Sequence, residues 1–243
     1  MPHRLIHFPN QILDISPPLA YTGRKKEAPM KNAVICFTRV PKAGQTKTRL
    51  MPYLSGDQCA ELHWAFLRDL SNIFASLEAD LFVAHTPDPD WEQLKAVFPK
   101  AFFFPQEGTD LGAKMNHALN LALSMGYEKC ILTGSDLPLM TGEHLISGFD
   151  ALEHADVTLG PTSDGGYYLV GVKKESPFLF ENQTYGYGNV FDNTVAAVRA
   201  AGKSFCPALP CDDVDTPEDL RKLLKTLDPQ SHTAAYLRSL GEK

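Results

Sequence analysis

The 243-residue sequence holds no run approaching the roughly 18 apolar residues that a membrane span requires. It has no CxxC pair among its cysteines Cys36, Cys59, Cys130, Cys206 and Cys211, and a structural zinc site is not expected. Five is also an odd number, and we read these residues as reduced thiols of a cytoplasmic protein. Positive charge is scarce: 23 Lys and Arg stand against 29 Asp and Glu, a net charge of −6. That balance argues against a surface that coats nucleic acid, while leaving room for a small basic pocket. Neither a GxGxxG fingerprint nor a Walker loop is present.

Proline is plentiful in one place. Residues 1–30 contain five of the 18 prolines and four bases against two acids. Proline and polar residues interrupt every stretch that could serve as a signal-peptide core. We expect residues 1–30 to be a poorly structured extension upstream of a start at Met30, with residues 31–243 as the folded domain. A strand-like arm through Leu5-Ile6-His7-Phe8 is the alternative.

From Lys31 onward, strand and helix patterns alternate. Ala33 to Phe37, Leu81 to Ala84, Ala101 to Phe104 and Cys130 to Thr133 are short apolar runs, as expected of strands covered on both faces. Between them lie helical spacings: one opened by a Ser55–Gln58 capping box, a short one over 91–98, and one capped by Asp110 and stopped by Gly126. A helix through Leu145 and Leu152, strands at 156–159 and 168–172, and helices near 190–201 and 217–226 complete the chain. Repeated βαβ units predict a single three-layer α/β/α domain with a mostly parallel sheet.

Ligands of such sheets bind beyond the carboxyl ends of the strands, which directs attention to the segments that follow them. After the first strand, Arg39, Lys42, Lys47 and Arg49 place four bases within eleven residues, suited to phosphate. After the fourth comes Gly134-Ser135-Asp136-Leu137-Pro138, whose carboxylate can reach Mg²⁺ or Mn²⁺. Thr216, Pro217 and Asp219 read as a helix start, which leaves Asp213 and Asp215 as spare carboxylates. Asp164-Gly165-Gly166 reads as a hairpin turn. Its glycines also admit a ligand close to the backbone, and Asp164 is a candidate base or sugar-hydroxyl acceptor.

Five ordered segments carry a resemblance over residues 32–226. They are Phe37 to Leu50, with its Pro-x-x-Gly-x-x-Lys-Thr-Arg-Leu pattern; Gly108 to Met115; Gly134 to Pro138; Gly160 to Gly171; and Asp213 to Leu220. Together they resemble a family of uncharacterised bacterial transferases, the nucleotide-diphospho-sugar transferases with the A-type glycosyltransferase fold. The Lys47-Thr48-Arg49-Leu50 motif is also similar to that of phospholactate guanylyltransferase, and Thr216 to Asp219 to that of molybdenum-cofactor guanylyltransferases. Tyr185-Gly186-Tyr187 departs from the family's usual Trp-Gly-Thr or Trp-Ser-Thr.

The resemblance implies a metal-dependent glycosyltransferase that takes a nucleotide-sugar donor and passes the sugar to an acceptor. It equally admits a nucleotidyltransferase that releases pyrophosphate from an NTP, or a nucleotide-binding protein without catalysis. On this reading Arg39, Lys42, Lys47 and Arg49 hold phosphate, and Gln106, Gly108 and Thr109 read the nucleobase. Asp136 and Asp215 hold Mg²⁺ or Mn²⁺, Asp164 acts as base, and Gly165, Gly166, Asp213 and Tyr187 face the sugar or acceptor.

Overall fold

The computed structural model describes residues 5–8, 11–14, 31–51, 53–186 and 188–241. The chain divides into two units, residues 1–30 and 31–243. In the first, β1 (Leu5–Phe8) pairs antiparallel with β2 (Gln11–Asp14). The remainder of the expected extension lies outside the described residues.

In the second unit, seven strands among the described residues form one sheet. They are β3 (Asn32–Thr38), β4 (Asp80–His85), β5 (Phe102–Pro105), β6 (Lys129–Thr133), β7 (Val157–Pro161), β8 (Tyr167–Val172) and β9 (Phe205–Pro207). Their order is β5-β4-β3-β6-β8-β7-β9. Pairings β3–β4, β3–β6, β4–β5 and β7–β9 are parallel, whereas β8 runs antiparallel between β6 and β7. The sheet is thus mostly parallel, as the apolar runs predict.

Strand periodicity sorts the core into two layers. Val34 and Cys36 of β3 join Val83 and Ile131 on one face, under α1 (Gly56–Ala75), α2 (Leu94–Val97) and α4 (Gly142–His154). Ala33 and Ile35 point the other way, with Phe82 and Leu132, against α3 (Leu111–Ser124) and α5 (Val190–Ala200). The second side of α1, through Cys59, Leu62 and Phe66, packs on α6 (Pro217–Leu223) and α7 (His232–Ser239). Three predicted caps form. Ser55 and Gln58 make the capping box of α1, Asp110 accepts from Ala113 N, and Thr216 with Asp219 closes α6 behind Pro217. No helix among the described residues is long and apolar enough to cross a membrane.

The topology positions the site. From β3 the chain steps outward to β4 and β5, then returns across the sheet to β6 on the other side of β3. The carboxyl ends of β3 and β6 therefore flank a switch point, where a crevice opens in doubly wound sheets. There the Thr38 hydroxyl donates to Ser135 Oγ at 2.9 Å.

Candidate active site around Asp136

Three adjoining cavities lie at this end of the sheet. The largest, about 440 Å³, is lined by Thr38, Gln106, Lys114, Asp136, Asp164 and Tyr167, among others. A second, about 220 Å³, is lined by Arg39, Thr46, Lys47, Arg49, His63, Asp136 and Asp215. A third, about 400 Å³, lies between the Ser163–Asp164 turn and the start of α6. The first two share Arg39, His63 and Asp136; the first and third share Asp164 and Asp213; the last two share Arg49 and Asp215.

Lys47 stands at the junction. Its side chain is 2 % exposed, and Nζ lies 2.6 Å from Asp136 Oδ1 and 3.0 Å from Asp215 Oδ1. It also donates to Val214 O at 2.6 Å. Backbone closes the same ring, because Val214 N donates to Asp136 O at 2.9 Å. Arg49, largely exposed, reaches Asp215 Oδ2 at 3.5 Å. Partial desolvation at the cavity floor works against ionising Asp136, but the charges of Lys47 and its neighbours outweigh it and hold the carboxyl below the usual aspartate range.

Asp213 makes no hydrogen bond or ion pair among the described residues. Burial first, and then the charge of Asp215, push it from 3.8 up to about 6. Folding thus favours protonated Asp213. That contribution is complete below pH 3.8 and is lost as pH rises through about 6. Asp213→Asn should therefore be more stable than the parent at pH 7.5, by about 1 kcal/mol once solvent screening is discounted, and no more stable at pH 4. Urea denaturation at both pH values checks this, and an equal difference at the two would contradict it. Comparing variant with parent removes the contribution of His63, which has the opposite sign. Burial lowers that imidazole to about 4, so its stabilising effect is lost as pH falls.

His63 is the functional candidate that sequence patterning missed. It lies on the buried stripe of α1 between Cys59 and Phe66. Nε2 is 3.1 Å from Ser135 Oγ and 3.5 Å from Asp136 Oδ1, while the buried Nδ1 has no partner. An unpaired ring acceptor is cheaper than an unpaired N–H, so we assign the proton to Nε2. The signal in the sequence was a titratable residue at a core position.

The other expected residues divide. Lys42 Nζ is held by Asp88 and Asp90, at 2.8 Å each, and lines none of the three cavities. Gln106 is buried and lines the large cavity, with Nε2 donating to Thr38 O and Ala84 O. Both amide hydrogens are thereby used, so only its carbonyl oxygen remains to meet a ligand. Gly108 (φ +147) packs against the first turn of α3, where a Cβ would lie 2.6 Å from Lys114 N. Thr109 donates to Asp110, and neither Gly108 nor Thr109 lines any of the three cavities.

Asp164 sits in the β7–β8 hairpin turn. Its Oδ1 accepts from Thr162 Oγ1 at 2.5 Å and from Gly166 N at 3.0 Å, and its side chain borders two cavities. Gly166 lines the large cavity, whereas Gly165 packs on Gly188. Tyr187 lies outside the described residues.

Mg²⁺ commonly takes one or two carboxylates and completes its shell with substrate phosphate and water. The donor set fits that pattern: Asp136 and Asp215 supply hard oxygens that converge on one cation, here the ammonium of Lys47. Among the described residues, no group of three or more His, Cys, Asp or Glu side chains is placed to hold a metal ion.

Known proteins place this geometry in context. The family model described as "Uncharacterized protein conserved in bacteria (DUF2064)" matches residues 69–187. The structure is similar to that of a "putative nucleotide-diphospho-sugar transferase" from Desulfovibrio desulfuricans G20, with a TM-score of 0.81 and 34% identity over 87% of this chain and 95% of that one. Among curated proteins, the chain is 24% identical to the 2-phospho-L-lactate guanylyltransferase of Methanocaldococcus vulcanius, over 86% of this chain and 91% of the relative. It is 26% identical to that of Methanothermobacter thermautotrophicus, over 86% and 90%. With a third of its residues shared along nearly the whole of the Desulfovibrio protein, the chain belongs to the same bacterial family, that of the nucleotide-diphospho-sugar transferase-like proteins.

Proposed function

We propose that the protein is a nucleotidyltransferase that uses a nucleoside triphosphate and releases pyrophosphate. One observation carries this reading: a cavity large enough for a nucleoside opens, through Arg39 and Asp136, onto a smaller one ringed by Lys47, Arg49 and the Thr46 loop. A nucleoside in the first puts its phosphates into the second. The guanylyltransferase names of the curated relatives, which align over most of this chain, support the same class.

In the reaction an acceptor oxygen forms a bond to the α-phosphorus, a hydroxyl acceptor giving its proton to Asp164, and the bond from that phosphorus to the bridging oxygen of the β-phosphate breaks. Pyrophosphate leaves with the electron pair. Arg39, Lys47 and Arg49 offset the charge that builds on the leaving group. Asp136 and Asp215 would hold Mg²⁺ or Mn²⁺, which when bound neutralises and orients the phosphates. The free carbonyl oxygen of Gln106 accepts from a nucleobase N–H. Asp164 and Asp213 face the acceptor, because both border the third cavity as well as the first.

A second reading is transfer of a sugar from a nucleotide-diphospho-sugar, favoured by the kinship with the Desulfovibrio protein. The cavities would then hold donor and acceptor, and nucleoside diphosphate would leave.

A thermal-shift panel of nucleosides, nucleoside triphosphates and nucleotide sugars, with and without Mg²⁺, tests the class. A triphosphate at a hundred times its Kd should stabilise the protein by about 2.7 kcal/mol. A free nucleoside that shifts Tm as far as its triphosphate would sink the reading, since the phosphate cavity would then contribute nothing.

A further inference from the structure

We propose that Lys47 is a resident counter-ion of the Asp136–Asp215 pair, so that a divalent cation enters there only when nucleotide phosphate draws the ammonium away. The inference rests on the reading above, in which that pair holds the metal and the cavity beside it holds phosphate. Its consequence is an order of binding: nucleotide comes first or together with the cation, and the cation alone binds weakly.

The geometry makes the two cations exclusive. The ammonium lies 2.6 Å from Asp136 Oδ1 and 3.0 Å from Asp215 Oδ1, between the two carboxylates that would hold the metal. Mg²⁺ binds oxygen at about 2.1 Å, so a Mg²⁺ held by both carboxylates and an ammonium held by both would compete for the same space between them. Nor is Lys47 a surface lysine that happens to rest there. Its side chain is 2 % exposed, Nζ is also held by Val214 O, and it stands 5.6 Å from the centre of the Phe66 ring. Its backbone is left-handed, at φ 52° and ψ 39°, a conformation that costs a residue with a side chain and persists where the surrounding structure holds it.

Departure of Lys47 would leave Asp136 and Asp215 facing each other, with Asp213 close enough to feel both. It would also leave a desolvated ammonium in need of an anion. A metal entering alone meets the first need but not the second. A phosphate in the cavity lined by Lys47, Arg39 and Arg49 meets the second while the metal meets the first.

Mn²⁺ alone is the probe, titrated by the electron paramagnetic resonance signal of the free ion. Lys47→Met keeps the aliphatic length over Phe66 and removes the charge. It should bind Mn²⁺ without nucleotide at least about tenfold more tightly than the parent. Adding Asp136→Ala to that variant should abolish the gain. Arg49→Met removes an equal charge from beside Asp215 and should gain much less, because Arg49 does not occupy the shared position. Equal gains for Arg49→Met and Lys47→Met, or none for Lys47→Met, would overturn the proposal.

The intact protein gives an independent readout if Lys47→Met does not fold. The Lys47 Nζ resonance should hold its place with Mg²⁺ alone and move with Mg²⁺ and GDP together; displacement by Mg²⁺ alone would overturn the proposal. Tight, Asp136-dependent Mn²⁺ binding by the parent without nucleotide would leave the metal site standing and remove only the gate. Absence of any Asp136-dependent Mn²⁺ binding, with or without GDP, would remove both.

Discussion

Asp136→Ala is expected to lower turnover by at least about a thousandfold, equivalent to roughly 4 kcal/mol of lost transition-state stabilisation. The fold should survive. Asp136 holds the 212–216 loop through its backbone carbonyl, which accepts from Val214 N at 2.9 Å, and alanine keeps that bond. The side chain is 40 % exposed and packs little apolar surface. Lys47 keeps Asp215 and Val214 O as partners. What disappears is the oxygen shared by the nucleoside and phosphate cavities, and with it half of the carboxylate pair. Nucleotide affinity with Mg²⁺ should fall to the level seen with chelator, while Tm without ligand changes little. Unaltered Mg²⁺-dependent affinity would remove Asp136 from the site.

Gly165→Ala should cost about 2–4 kcal/mol of stability and most of the nucleotide affinity, without touching a chemical group. Gly165 has φ +86, and an added Cβ would stand 2.1 Å from Gly188 O and 2.6 Å from Gly188 C. Both contacts are with backbone, so no rotamer change relieves them. The Gly165 carbonyl also accepts from Phe191 N at 3.0 Å, joining the β7–β8 turn to the first turn of α5. Relief of the clash must push these segments apart and carry Asp164 and Tyr167 out of the large cavity. Gly186→Ala is the control: its φ is +88, but nothing lies within 4 Å of an added Cβ, so it pays only the backbone cost. Equal losses for the two variants would show that conformational strain, not the contact with Gly188, governs this turn.

The strands were legible because strands covered on both faces must be continuous apolar runs. Helix starts were legible because Ser55, Asp110 and Thr216 are local chemistry, read within four residues. The Asp164-Gly165-Gly166 turn was legible for the same reason. Illegible features depended on distant partners. β9 is three residues ending in proline, too short to announce itself. The start of α7 is held partly by Asp69 of α1, which accepts from His232 N, Thr233 N and Thr233 Oγ1 across the tertiary fold.

The site shows the same division. Its basic loop and carboxylates stand out by residue type and by position after strands. Their pairing does not, because Lys47 meets Asp215 only after the chain returns 168 residues later. Lys42 resembles its neighbours in sequence yet folds against Asp88 and Asp90, whose approach from the end of β4 no local pattern announces. His63 was concealed by helical periodicity that accounts for every residue around it.

On the proposed function, the protein cleaves a nucleoside triphosphate at its α-phosphate, and the cleavage depends on Asp136. Phosphorus NMR of the protein incubated with GTP, Mg²⁺ and a small-molecule extract as acceptor source measures it directly. Pyrophosphate should appear together with a new phosphodiester or diphosphate resonance, both absent with Asp136→Ala. Release of nucleoside diphosphate from added nucleotide sugars, with GTP left intact, would contradict it.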